Sequence, residues 1–247
     1  MIIPRPQDAI HKAWLYRLLT TIADDPDLIS KIYFKGGTCA AMLGYLDRFS
    51  VDLDFAAGPL TQKSIMIIRE KFVQHFMELG LTVKQFSKVG IQYICRYPSN
   101  QQQRSTIKVE VQFPAPPQNR YQATYFGEID RTLPAETIET MFANKLLAVF
   151  GRWEKHKTIA GRDIYDIHYF FLQGYRYDPA IIQERRGTTV PTFFQELIDF
   201  IDQRISQTQL QQDLNVLLPY DKFKKLYPTL KQETVMLLRD ELARLQN

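Results

Sequence analysis

The sequence predicts an α+β fold, with a small mixed sheet and flanking helices over residues 1–130 followed by a helical domain over 131–247 that closes a cleft. Three observations predict it. Short strand-like runs alternate with helical patterns before Pro134, and after Pro134 apolar residues recur at helical spacing nearly to the end. Between them a Pro-rich stretch, PAPPQ at 114–118, makes a loop at or after which the domain junction falls. A chain of 247 residues is long enough for two such domains.

The elements follow in order. A helix over 8–23 sets Ile10, Trp14, Leu18 and Ile22 on one face, and a strand follows at 31–34. KGGT at 35–38 is a Gly turn opening a short helix, and VDLDF at 51–55 is a second strand. A helix runs from Thr61, its N-cap, to Gly80, its C-cap. Strands near 81–86, 91–97 and 105–113 complete the sheet, and helices near 135–150, 162–173, 192–205, 207–217 and 228–245 form the second domain.

Composition narrows the class. Apolar residues make up 45% and charged residues 23%, and no window approaches the ~18 apolar residues of a membrane span. The first ten residues lack the marks of a secretory signal, so a cytoplasmic protein is expected. Cys39 and Cys95 are read as buried thiols without a disulfide, metal or nucleophilic role, and four His without close Cys spacing argue against zinc. A net charge of +4 permits an anionic partner without demanding one.

The chemistry concentrates in the strands. The side-chain period of two sends Asp52 and Asp54 to one face of VDLDF, about 6.8 Å apart, where both can converge on a cation. TIKVEVQF at 106–113 repeats the arrangement, with Lys108, Glu110 and Gln112 on the face opposite Ile107, Val109 and Val111. If that strand pairs beside VDLDF, Glu110 is the third acid. Carboxylates bridging two magnesium ions serve nucleotidyl transfer, one ion activating the attacking hydroxyl and the other taking the charge of the leaving pyrophosphate. The competing reading is the solvated face of an antiparallel sheet.

KGGTCAAML places Lys35, Gly36, Gly37 and Thr38 at a helix start, where backbone N–H groups can face a triphosphate. Thr38 can equally be an N-cap. Gly-Gly-Thr, a helix, then Asp-apolar-Asp resembles the signature of the polymerase-β-like nucleotidyltransferases. The fuller string KGGTCAAMLGYLDRFSVDLDF at 35–55 resembles more closely the AbiEii/AbiGii toxin branch of that superfamily, including Arg48 and Ser50 of RFS. The segment 141–170 is similar to the family's later motifs, a Lys at Lys145 and an Arg-Asp-x-x-Asp at Arg162, Asp163 and Asp166.

On its helix Lys145 shares a stripe with Ile138, Met141, Phe142 and Val149, so its ammonium needs an anion, a nucleotide phosphate or an acid of the next motif, unless it snorkels to solvent. Lys145→Met is then expected to keep the fold or stabilise it. Asp163 and Asp166 share a helix face, and the residues do not decide between them. The resemblance implies that Asp52, Asp54, Glu110, Lys145, Asp163 and Asp166 serve catalysis, and that Lys35, Gly36, Gly37, Thr38, Arg48, Ser50, Lys145 and Arg162 hold the nucleotide. It further implies a magnesium-dependent toxin that moves a nucleoside monophosphate from a triphosphate to an acceptor hydroxyl, on RNA or tRNA, with a cognate antitoxin. Arg152, Trp153, Lys155, His156 and Lys157, read as an inter-helix loop, offer an RNA surface. The alternatives are an antibiotic-type nucleotidyltransferase acting on a small molecule, and a nucleotide-binding module without catalysis.

Overall fold

The computed structural model describes residues 1–87, 89–99 and 104–246, with the side chain of His156 outside the described set. Its chain divides into two compact units, Met1–Thr137 and Ile138–Asn247.

The first unit is built on a seven-stranded mixed sheet ordered β3-β4-β5-β2-β1-β7-β6. The strands are β1 (Ile32–Lys35), β2 (Leu53–Ala57), β3 (Thr82–Phe86), β4 (Ile91–Arg96), β5 (Thr106–Gln112), β6 (Tyr121–Phe126) and β7 (Arg131–Glu136). β2 pairs antiparallel with β1 and parallel with β5, which seats the acidic strand mid-sheet. Helices α1 (Asp8–Ala23), α2 (Pro26–Ile29), α3 (Gly36–Met42) and α4 (Gln62–Glu78) complete the unit.

Five strands stand where sequence periodicity puts them, but the hairpin β6–β7 does not appear in that reading. Pro134, taken as the break between two regimes, lies inside β7 opposite Ala123. A proline removes a ladder donor, and the strand tolerates this because it pairs with β1 at Phe34 and Ala135, beside the proline and not at it. The hairpin carries the first unit to Thr137, seven residues past the expected division at 130.

Helix α1 has the expected limits but a rotated face. Its buried residues are Asp8, His11, Leu15, Leu18, Leu19, Ile22 and Ala23, whereas Ile10 is exposed and Trp14 half-buried against Tyr97. Thr61 caps α4 as its composition suggests, accepting from the Ser64 backbone N–H, and Gly80 follows the helix in a left-handed conformation, φ 69°. Cys39 and Cys95 are buried and free.

The second unit is helical throughout: α5 (Ile138–His156), α6 (Gly161–Leu172), α7 (Pro179–Arg186), α8 (Val190–Arg204), α9 (Gln207–Leu214), α10 (Tyr220–Leu226) and α11 (Leu230–Gln246). Its core is aromatic, with Phe142, Phe170, Phe193 and Phe194 buried. No helix among the described residues is long and apolar enough to cross a membrane.

Candidate functional site

The residues singled out by the sequence form one group in each unit. In the first, the register sets Asp54 directly beside Glu110 across β2–β5 and opposite Lys35 across β1–β2. Burial alternates as expected, Val51, Leu53 and Phe55 being buried while Asp52 and Asp54 are half-buried. The ladder itself begins at Leu53, so Asp52 lies just before the strand. Burial, and then the charge of Asp52, push the Asp54 carboxyl above its usual range. Glu110 is ion-paired with Lys108, two residues back on the same strand face.

The Gly turn wraps this cluster closely. Gly36 takes φ +80°, and a Cβ there would stand 2.7 Å from Asp54 Oδ2, so the position needs glycine both for its backbone and for the carboxylate's room. A Cβ on Gly37 would meet Arg48 Nη2 and Ser50 Oγ, each at 2.9 Å. Thr38 is not an N-cap: that position belongs to Lys35, and Thr38 lies fully buried inside α3. Its Oγ1 donates to the Asp52 carbonyl and meets Ser50 Oγ at 3.0 Å. Arg48, 2% exposed, donates Nη1 to the Phe49 carbonyl at 2.9 Å, so its guanidinium stands behind the turn.

His11 is a residue that sequence reasoning passed over. Its Nε2 lies 2.9 Å from the carbonyl of Val51, the residue before Asp52, and its Nδ1 lies 3.1 Å from Tyr97 Oη. The carbonyls of Phe49, Val51 and Asp52 are thus each held by a side chain, where no ladder satisfies them. No pattern in the sequence marks this, because a helix and an irregular loop meet only in three dimensions. Burial drives the His11 pKa from 6.5 down to about 4, the Val51 hydrogen bond opposing it. The folded state therefore refuses a proton that the unfolded chain accepts below 6.5. Stability should fall by about 3 kcal/mol as pH drops from 6.5 to 4. Denaturant midpoints across that window check it; His11→Asn, if still folded, should flatten the slope, and an unchanged slope would remove His11 as its source.

In the second unit Lys145 Nζ, on α5, lies 2.8 Å from Asp166 Oδ2 and 3.3 Å from Asp163 Oδ1, both on α6. Arg152 Nε, two turns along α5, adds a 2.6 Å contact to Asp163 Oδ2. The acids are buried, at 1% and 0% exposure, while Lys145 keeps 16%. Burial would raise the Asp163 carboxyl, but Lys145 and Arg152 outweigh it and hold the group below its usual range. The start of α6 is fixed by Asp213, which accepts from the Gly161 N–H at 2.5 Å; a Cβ on Gly161 would stand 3.0 Å from the Leu210 Cα. Arg162 follows, half-buried.

The basic stretch read as a loop is helical, since α5 runs to His156. Trp153 packs edge-on against Phe200, with Arg204 and Lys157 over its ring. Lys155 and Lys157 are exposed, and the His156 side chain lies outside the described residues. His168 is buried and bonds Glu233 Oε2 at 2.8 Å.

Residues 17–227 match the sequence model of a family described as nucleotidyl transferase AbiEii toxin, Type IV TA system. Among curated proteins, no sequence matches the chain. Solved structures do. JHP933 from Helicobacter pylori is 20% identical over 99% of this chain and 100% of that one, TM-score 0.57. A putative nucleotidyltransferase from H. pylori is 18% identical over 98% and 99%, TM-score 0.61. MenT4, a nucleotidyltransferase toxin from Mycobacterium tuberculosis, is 17% identical over 96% and 86%, TM-score 0.53. At these identities the likeness shows a shared fold.

Proposed function

The chain belongs to the family of AbiEii nucleotidyl transferase toxins, and from that premise we propose that it moves a nucleoside monophosphate from a nucleoside triphosphate to a hydroxyl of RNA, in the cytoplasm, under the control of a cognate antitoxin. The observation that carries the reading is the register that sets Asp54 beside Glu110 and under Gly36.

Asp52 and Asp54 offer hard oxygen donors, which suit magnesium. When bound, that ion would polarise the α-phosphoryl group and favour the deprotonated acceptor hydroxyl. The hydroxyl oxygen forms a bond to the α-phosphorus, the bond from that phosphorus to the β-bridging oxygen breaks, and pyrophosphate leaves with the electron pair. The hydroxyl proton passes to a carboxylate of the cluster. Gly36 and Gly37 present backbone N–H groups to the triphosphate, and Lys35 adds charge at the helix start. Arg48, locked behind the turn, contributes a fixed positive field instead of a mobile clamp. In the second unit Lys145 keeps 16% exposure, and Asp163 and Asp166 are positioning residues that hold it.

The RNA acceptor rests on the family and on exposed Lys155 and Lys157. Labelled-nucleotide transfer with all four triphosphates, offered total RNA and an aminoglycoside in parallel, tests it. Label in RNA is expected; label in the aminoglycoside alone would favour the antibiotic-type alternative, and label in neither a binding module. Lys155→Glu with Lys157→Glu should weaken RNA binding and reduce its salt slope by about 1–2, leaving triphosphate binding unchanged.

A further inference from the structure

β5 sets Lys108 and Glu110 on one half-exposed face, and β2–β5 pairing places Asp54 beside Glu110. Two residues earlier than each member of that pair stand Asp52 and Lys108. Lys108 Nζ is bound to the Glu110 carboxylate. On the other flank Lys35 stands opposite Asp54 and donates to Gln112 Oε1 at 2.5 Å. Three carboxylates therefore share their surroundings with two ammonium groups, both close enough to act on Asp54. Among the described residues, no three His, Cys, Asp or Glu side chains come together as a metal site.

A second divalent ion bridging to Glu110 would have to displace Lys108 from its carboxylate and sit against the displaced charge. An ammonium is a compact point charge on a flexible stem, able to serve as electrostatic counterpart to a phosphoryl group without ligand geometry. Resting on the transferase reading above, we propose that Lys108 takes the place of a second metal ion: the site holds one divalent cation on Asp52 and Asp54, and the Lys108 ammonium, oriented by Glu110, supplies the second positive charge to the triphosphate. Glu110 is then a positioning residue for Lys108, not a metal ligand.

Titration of the full chain with Mn2+ alone, counting bound ions by electron paramagnetic resonance, tests this. Wild type should bind one ion per chain and Lys108→Arg, which keeps the charge, also one. Lys108→Met frees Glu110 and should bind two. The partly exposed position of Lys108 leaves the fold intact in both variants. Two ions on wild type, or one on Lys108→Met, overturns the proposal while leaving the transferase site standing. A single ion that persists in Asp54→Asn, or no ion on wild type, overturns the metal site and the proposal together.

Discussion

Lys145→Met is expected to melt roughly 6–20 °C below wild type and to lose at least about two orders of magnitude in transfer activity. The sequence alone suggested the opposite for stability, because a lysine in an apolar stripe reads as a burial cost that methionine would remove. The structure reverses the sign. Lys145 is shared by two carboxylates that are themselves out of water, Asp163 at 3.3 Å and Asp166 at 2.8 Å. Removing one partner of a buried ion pair costs about 3–5 kcal/mol, since the carboxylates that remain have lost their water and the ammonium they share. Asp163 keeps Arg152. Neutralising the other acid should therefore recover most of the loss, so Lys145→Met combined with Asp166→Asn should melt closer to wild type than Lys145→Met alone. Circular-dichroism melts of the three proteins check this, and a single variant as stable as wild type would refute the buried-pair account.

Asp54→Asn should also lower transfer by at least about two orders of magnitude, but with the opposite effect on stability, raising the melting temperature at neutral pH. The Asp54 carboxyl is pushed above its ordinary value of 3.8 by burial and by Asp52. Its folded state therefore holds a proton more tightly than the unfolded chain. Stability from this group is complete below 3.8 and is lost as pH rises through the raised value, so at pH 7 the ionised carboxylate is a net cost. Asparagine removes it, each 1 kcal/mol of relief appearing as about 2–4 °C. Magnesium with triphosphate should raise the wild-type melting temperature by neutralising the same charge, and should leave Asp54→Asn unmoved. A variant that melts below wild type at pH 7, or that gains equally from magnesium, would contradict the assignment.

Much of this was legible in the chain. The alternation in VDLDF and TIKVEVQF determined which residues of each strand face the core, because the pleat allows no other assignment once one face is apolar. The caps at Thr61 and Gly80 located α4, since they satisfy its end groups locally. Helix α7 carries equally local signals, Asp178-Pro179 at its start and Gly187 after its end, and could have been read from them. β7 could not, because Pro134 argues against a strand until its neighbours are known.

The sequence by itself determined the fold class and the face that Asp52 and Asp54 share, because these follow from periodicity, and it carried the family in the motifs within residues 17–227. Only the tertiary structure decided what those residues face. It set Glu110 beside Asp54 and tied it to Lys108, put Arg48 behind the Gly turn, brought His11 to the Val51 carbonyl and closed Asp163 and Asp166 around Lys145. Each of these outcomes turns on burial or on a partner placed by another element. The strength and sign of a charge's contribution depend on that surrounding dielectric and on the counter-charge within reach, neither of which a linear pattern contains.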